Sequence, residues 1–77
     1  MTRLEILIQT LSNLGGKAHY SEIYDEYGKI VGYNLSSKEK AAIRACIETH
    51  SSDSDEFRGN DIFYSVNGKG KGFWGLK

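Results

Sequence analysis

Residues 62–76 read Ile-Phe-Tyr-Ser-Val-Asn-Gly-Lys-Gly-Lys-Gly-Phe-Trp-Gly-Leu. Ile62 to Val66 is dense in β-branched and aromatic residues and predicts a strand, Asn67-Gly68 opens a turn, and Phe73 to Leu76 predicts a second strand. The pair makes a β-hairpin whose tip, Gly68-Lys69-Gly70-Lys71-Gly72, alternates glycine with lysine. Phe73 and Trp74 are neighbours in a strand, so they point to opposite faces: one can enter a core while the other turns outward or lies over the hairpin, and burial of both is also open in so small a protein. An outward Trp74, free to stack or to touch a methyl group, is the sharper of the two expectations.

Working back from the hairpin, residues 51–61 are rich in Ser, Asp, Asn and Gly, whose side chains favour turns by bonding their own backbone. Before that loop comes the best-marked helix, over 36–49. Ser36 and Glu39 fit a capping box, the alanine-rich run to Thr49 contains neither Gly nor Pro, and Ile43, Cys46 and Ile47 form an inner face. At about a hundred degrees per residue, Ser37, Lys40, Ala41, Arg44 and Glu48 share the opposite face. A second helix is capped by Ser21, buries Ile23, Tyr24, Tyr27 and Ile30 or Val31, and closes at Gly32. The first runs from about Thr2 to Asn13, with Leu4, Leu7, Ile8, Leu11 and Leu14 at three- and four-residue spacing. Thr2 and Glu5 box its start and Gly15-Gly16 ends it. Lys17 to Tyr20 is extended and able to add a short strand. The fold class is therefore α+β, a winged helix-turn-helix: three helices followed by a β-hairpin wing, with a possible short strand after helix one.

At 77 residues the chain holds one hydrophobic core, so residues 1–77 are expected to form a single winged-helix domain. Most of the 39% apolar side chains belong to that core, leaving no material for a buried catalytic pocket. No apolar run is long enough to span a bilayer and the N-terminus is a poor signal peptide, so a cytoplasmic location and no membrane partner are expected. Cys46 is the only cysteine and His19 and His50 the only histidines, which excludes a disulfide and the usual metal clusters; no cofactor is expected. His50, Ser51 and Asp53 carry the residue types of a hydrolytic triad, but neighbours at a helix end rarely reach triad geometry, and the sequence predicts no enzyme. The sequon Asn34-Leu35-Ser36 is a chance match in a chain with no sign of secretion.

Ten basic and ten acidic residues cancel, so any affinity for nucleic acid must come from local charge. Residues 62–77 contain Lys69, Lys71 and Lys77 and no acid. On helix 36–49, Arg44 suits a guanine edge, Lys38 and Lys40 suit phosphates or bases, Ser36 and Ser37 suit phosphates at the helix start, and Ala41 permits close approach. Lys69 and Lys71, set between glycines, place two ammonium groups within reach of a phosphate chain. The same residues also describe an ordinary solvated helix and a hairpin with lysines for solubility. The turn Ser51-Ser52-Asp53-Ser54, just past the helix, has two compatible roles: closing the helix by bonding its own backbone, and offering donors to DNA.

The stretches Gly-Gly-Lys-Ala-His-Tyr-Ser-Glu-Ile-Tyr at 15–24, Ala-Ala-Ile-Arg at 41–44, His-Ser-Ser-Asp-Ser at 50–54, Ile-Phe-Tyr-Ser-Val at 62–66 and Gly-Lys-Gly-Phe-Trp-Gly-Leu at 70–76 resemble the winged-helix domains appended to bacterial restriction endonucleases. The resemblance spans nearly the whole chain. It implies binding of double-stranded DNA in a restriction-modification setting, and some related winged helices read methylated adenine. By position it places the DNA contacts on helix three, on Ser51, Ser52, Asp53 and Ser54, and on the lysines of the wing. The family pattern includes a nuclease domain, which this chain lacks; an excised domain and a free-standing protein of a phage or defence locus both fit, with a nuclease domain or other protein as a possible partner.

A reader of methylated adenine needs an apolar or aromatic wall beside an adenine-reading amide or backbone group. Tyr20, Tyr64 and Trp74 are the candidate walls. Gln9, Asn34, Asn60 and Asn67 are the amides, one on the first helix and three in loops, so the Ser51–Ser54 turn would have to substitute. The leading expectation is duplex DNA binding, with helix 36–49 in the major groove and the wing 67–72 on phosphates. The alternative is a protein-protein interaction module on the same scaffold, which would show Trp74, Tyr20 and Tyr33 as one solvent-facing patch.

Overall fold

The computed structural model describes residues 2–68 and 72–77. It has three helices, α1 (Arg3–Asn13), α2 (Tyr20–Val31) and α3 (Ser37–Thr49), and three strands, β1 (Lys17–His19), β2 (Phe63–Ser65) and β3 (Phe73–Leu76). The strands form one antiparallel sheet in the order β1-β3-β2. The extended piece after the first helix is thus a strand. It pairs with the far arm of the hairpin, and Ala18 stands opposite Trp74.

Local chemistry accounts for the helix ends. At α1, the Thr2 hydroxyl accepts from the Glu5 N–H at 3.2 Å and the Glu5 carboxylate accepts from the Thr2 N–H at 2.8 Å, which satisfies two of the donors a helix start leaves open. Gly15 and Gly16 take φ of 87° and 96°, left-handed values that favour glycine, and the Gly16 N–H returns to the Leu11 carbonyl.

Helix α2 begins at Tyr20, and its cap is His19 instead of the expected Ser21. The reason lies across the sheet: the Tyr20 N–H is donated to the Gly72 carbonyl at 3.0 Å, so a donor that a cap at Ser21 would have left outside the helix is already satisfied as the helix starts. Glu22 accepts the His19 N–H at 3.2 Å. Gly32 closes α2 at φ 82°.

Helix α3 starts as expected, the Ser36 hydroxyl accepting from the Glu39 N–H at 3.1 Å. The capping box stays half-formed, because the Glu39 carboxylate instead takes the Tyr33 hydroxyl at 2.7 Å. At its other end the His50 ring Nδ1 lies 2.8 Å from the Cys46 carbonyl oxygen, a position that calls for the donating tautomer.

The core is Leu7, Leu11, Ala18, Ile23, Tyr27, Ile43, Ile47, Phe63 and Trp74. Fully burying a Leu, Ile or Phe side chain stabilises a fold by about 1.5–3 kcal/mol, so these few residues dominate the folding free energy of a chain this short. Cys46 is half-buried against the cluster, and burial pushes its thiol above the ordinary value. Thr10 is the polar exception on α1, and its hydroxyl donates to the Ile6 carbonyl at 2.7 Å.

Strand β2 is an edge strand, and its outward donors are covered. The Phe63 N–H goes to the His50 carbonyl at 3.0 Å and the Ser65 N–H to the Asp53 carboxylate at 2.9 Å, while Val66 on the other side bonds Phe73. Covering an edge in this way removes a template for pairing with another chain.

Candidate nucleic-acid interface

Helix α3 turns Ser37, Lys38, Ala41, Arg44 and Ala45 to solvent, with its cap Ser36 also exposed and Lys40 and Glu48 half-buried beside them. Within 4 Å, none of Lys38, Lys40 and Arg44 is ion-paired among the described residues. The face carries three cations around a floor of two alanines, with the Glu48 carboxylate near its end.

Two of the three cations are held in place. Arg44 Nη1 donates to the Tyr24 hydroxyl at 2.9 Å, and Lys40 Nζ lies 5.4 Å from the centroid of the Tyr24 ring, within cation–π range. The Tyr24 ring in turn stacks on Tyr20, centroids 5.8 Å apart and planes 7° from parallel. Tyr20 meets Trp74 at 6.4 Å. A row of rings therefore runs from β3 along the first turns of α2 to the cations of α3.

Burial pushes the Tyr20 hydroxyl above the ordinary value, and the Glu48 carboxylate acts in the same direction. Tyr20 is a neutral donor or acceptor at any physiological pH. The spacing predicts Tyr24 in the core stripe of α2, and its ring does pack against the core while its hydroxyl reaches the candidate site. The available signal was the pair Tyr20 and Tyr24, four apart on one helix face and so able to stack. An open groove of about 640 Å³ adjoins this surface and shares Tyr24 and Lys40 with it, its other walls including Lys29, Tyr33, Asn34 and Leu35.

The Ser51–Ser54 turn is arranged differently. Ser51 is fully buried and its hydroxyl accepts the Asp53 N–H at 3.2 Å. Ser52 gives both its N–H (2.9 Å) and its hydroxyl (2.8 Å) to Asp61. Asp53 accepts from Ser65, and the Ser54 hydroxyl accepts the Glu56 N–H at 3.1 Å. Lys77, a cation of the basic C-terminal stretch, is ion-paired with Asp61. The Asp61 carboxyl is held at about 2 by the Lys77 ammonium and by the N–H and hydroxyl of Ser52. Of the two compatible roles of this turn, these contacts account for closing the helix and tying down the loop.

Two of the three candidate walls are displaced. Trp74 is 6% exposed, so of the adjacent pair Phe73 and Trp74 it is the tryptophan that enters the core. Its position opposite the small Ala18 supplies the room. Its indole N–H makes no hydrogen bond among the described residues. Tyr64 sits opposite Gly75 in the register, one residue out of phase with Trp74, and therefore lies on the other face of the sheet. Only Tyr20 remains beside α3. Among the amides, Gln9 is bonded to Asn13 within α1.

Comparison with protein-family models, curated proteins and solved structures gives no match. Lys69 and Lys71, which the sequence assigns to the wing, lie outside the described residues. No group of three His, Cys, Asp or Glu side chains among the described residues is placed to hold a metal ion, and no described helix is long and apolar enough to cross a membrane.

Proposed function

We propose that this chain is a winged helix-turn-helix domain that binds duplex DNA, with α3 in the major groove and the hairpin as the wing. The observation that carries the reading is the exposed face of α3. Three cations unpaired within the described residues flank Ala41 and Ala45, a floor low enough for a backbone to approach a groove, and the start of the helix offers Ser36 and Ser37 to a phosphate. In this reading α2 and α3 are the helix-turn-helix, and β1 completes a three-stranded sheet with the hairpin strands β2 and β3. The sequence assigns Lys69 and Lys71 to the phosphates. The competing protein-interaction reading needs Trp74 in a solvent-facing patch, and the buried Trp74 does not supply it.

Titration of labelled duplexes at several salt concentrations tests the proposal. Wild-type affinity should fall linearly on logarithmic axes with salt, because each neutralised phosphate releases counterions. Lys38→Ala and Lys40→Ala should each weaken binding on every sequence and reduce the salt slope by about 1. Arg44→Ala should also change base preference. Affinity that is independent of salt and of all three exchanges would sink the assignment. A finer version, selectivity for methylated adenine, has Tyr20 as its remaining wall on this face. Duplexes identical except for adenine methylation decide it, equal affinity removing the modified-base reader while leaving plain duplex binding in place.

A further inference from the structure

We propose that Tyr24 is a positioning residue for base readout, its hydroxyl fixing the Arg44 guanidinium in the plane and direction that select guanine; the inference rests on the duplex-binding reading above.

The reasoning starts from what an unattached arginine can do. Arg44 is on an exposed helix face, and a free arginine there samples many rotamers that must all be given up when it reads a base. Here one Nη1 hydrogen is already committed to the Tyr24 hydroxyl at 2.9 Å, and no second hydrogen bond or ion pair holds the group among the described residues. A guanidinium carries five N–H donors in a rigid fork, so tethering one of them leaves enough for the O6 and N7 acceptors that guanine presents side by side in the major groove. The plane of the fork is set while its reading edge stays open.

Tyr24 is itself held. It stacks nearly parallel on Tyr20, whose backbone N–H is bonded to Gly72 of the hairpin, so the tether is anchored to two elements besides α3. The ring also seats Lys40, one turn before Arg44 on α3. One tyrosine thus touches both cations of the helix centre. Lysine is a compact point charge suited to a phosphate, whereas arginine is the planar group suited to a base, and the two contacts match that division: a ring face for the ammonium and a hydroxyl acceptor for the fork.

Tyr24→Phe separates these effects, since it deletes the hydroxyl and keeps the ring that stacks on Tyr20 and seats Lys40. Selection from a random duplex pool by wild type should enrich guanine at one position by about tenfold or more, and Arg44→Ala should abolish that enrichment. Tyr24→Phe should reduce it by about three- to tenfold while the salt slope stays at the wild-type value, because phosphate contacts are unchanged. In the protein without DNA, the Nη resonances of Arg44 should be resolved in wild type by restricted rotation and should merge in Tyr24→Phe. Guanine enrichment equal to wild type in a folded Tyr24→Phe protein, or Nη resonances unaffected by the exchange, would overturn the role of Tyr24 and leave duplex binding standing. A wild-type protein that binds no duplex at all would instead overturn the duplex-binding reading, and the role of Tyr24 with it.

Discussion

The Ser51–Ser54 turn, made of serines and an aspartate, and the outer face of α3, made of lysines, an arginine and alanines, each look in sequence like a place where DNA could be held. In the folded chain they have opposite economies. The turn is rich in groups that satisfy each other: Ser51 with Asp53, Ser52 with Asp61, Asp53 with Ser65, and Lys77 closing the set. On α3, the cations meet a tyrosine but no carboxylate within ion-pair distance among the described residues. A polar side chain whose complement the fold has already supplied has less left to offer a partner. Acid near the turn makes it structural, and the lack of a paired acid near Lys38, Lys40 and Arg44 makes that face presentable.

The largest effect that sharpens this contrast is expected on the sheet, where Tyr64 was a candidate contact. A Cβ added at Gly75 would lie 2.5 Å from Tyr64 Cε1 and 2.8 Å from Cζ, so the ring occupies the space that the missing side chain leaves. Gly75→Ala should destabilise the fold by about 1–3 kcal/mol, the usual cost of overpacking. Thermal unfolding should show a Tm lowered by roughly 5–20 °C for a domain of this size. Adding Tyr64→Ala should return part of the loss. Strictly additive losses in the double variant would mean the two residues do not compete for that space.

Next in size is the turn. Asp53→Ala leaves the Ser65 N–H on the open edge of β2 without its carboxylate and should cost about 1 kcal/mol, or roughly 4–8 °C in Tm. Duplex affinity measured well below that Tm should not change. Arg44→Ala should do the reverse, with stability within about 0.5 kcal/mol of wild type and duplex affinity reduced. If Asp53→Ala weakened DNA binding with no loss of Tm, the division between a structural turn and a presenting helix would be wrong.

How far the sequence predicted these arrangements depends on the span of the contact. The starts of α1 and α3 were legible because a cap reaches only three residues along the chain, and the periodicity of Leu7, Leu11, Ile43 and Ile47 marked the core faces without any partner being known. The start of α2 at Tyr20, ahead of the expected cap Ser21, goes with a hydrogen bond that the Tyr20 N–H donates to the Gly72 carbonyl, far along the chain. Alternation puts Phe73 and Trp74 on opposite faces, but the choice of Trp74 for the core depends on Ala18 standing opposite it. The site was harder still. Ser52 and Asp61 are 9 residues apart, Asp53 and Ser65 are 12, and Tyr24 and Arg44 are 20. Whether each polar group is satisfied or offered is decided over those distances, where no local pattern reaches.

The smallest effect concerns the clasp at the base of the turn, and pH separates it from the others. The Asp61 carboxyl sits at about 2 in the folded chain against an ordinary 3.8. A folded-state value below the unfolded one means that the ionised carboxylate favours the fold. That contribution is complete above about pH 4 and disappears as pH falls through about 2, where the group is protonated folded or unfolded. Both members of the Lys77–Asp61 pair are well exposed, at 40% and 33% of their side-chain surface, so solvent and salt weaken it. Asp61→Asn removes the charge at every pH. Its Tm should therefore lie below that of wild type near neutrality, the gap should narrow between about pH 4 and about pH 2, and about 1 M salt should shrink it at neutral pH. A gap that stayed constant through that acid range would show that Asp61 holds Ser52 by shape and hydrogen bonding alone, and the turn would then owe its closure to neutral contacts instead of to the acid that sets it apart from α3.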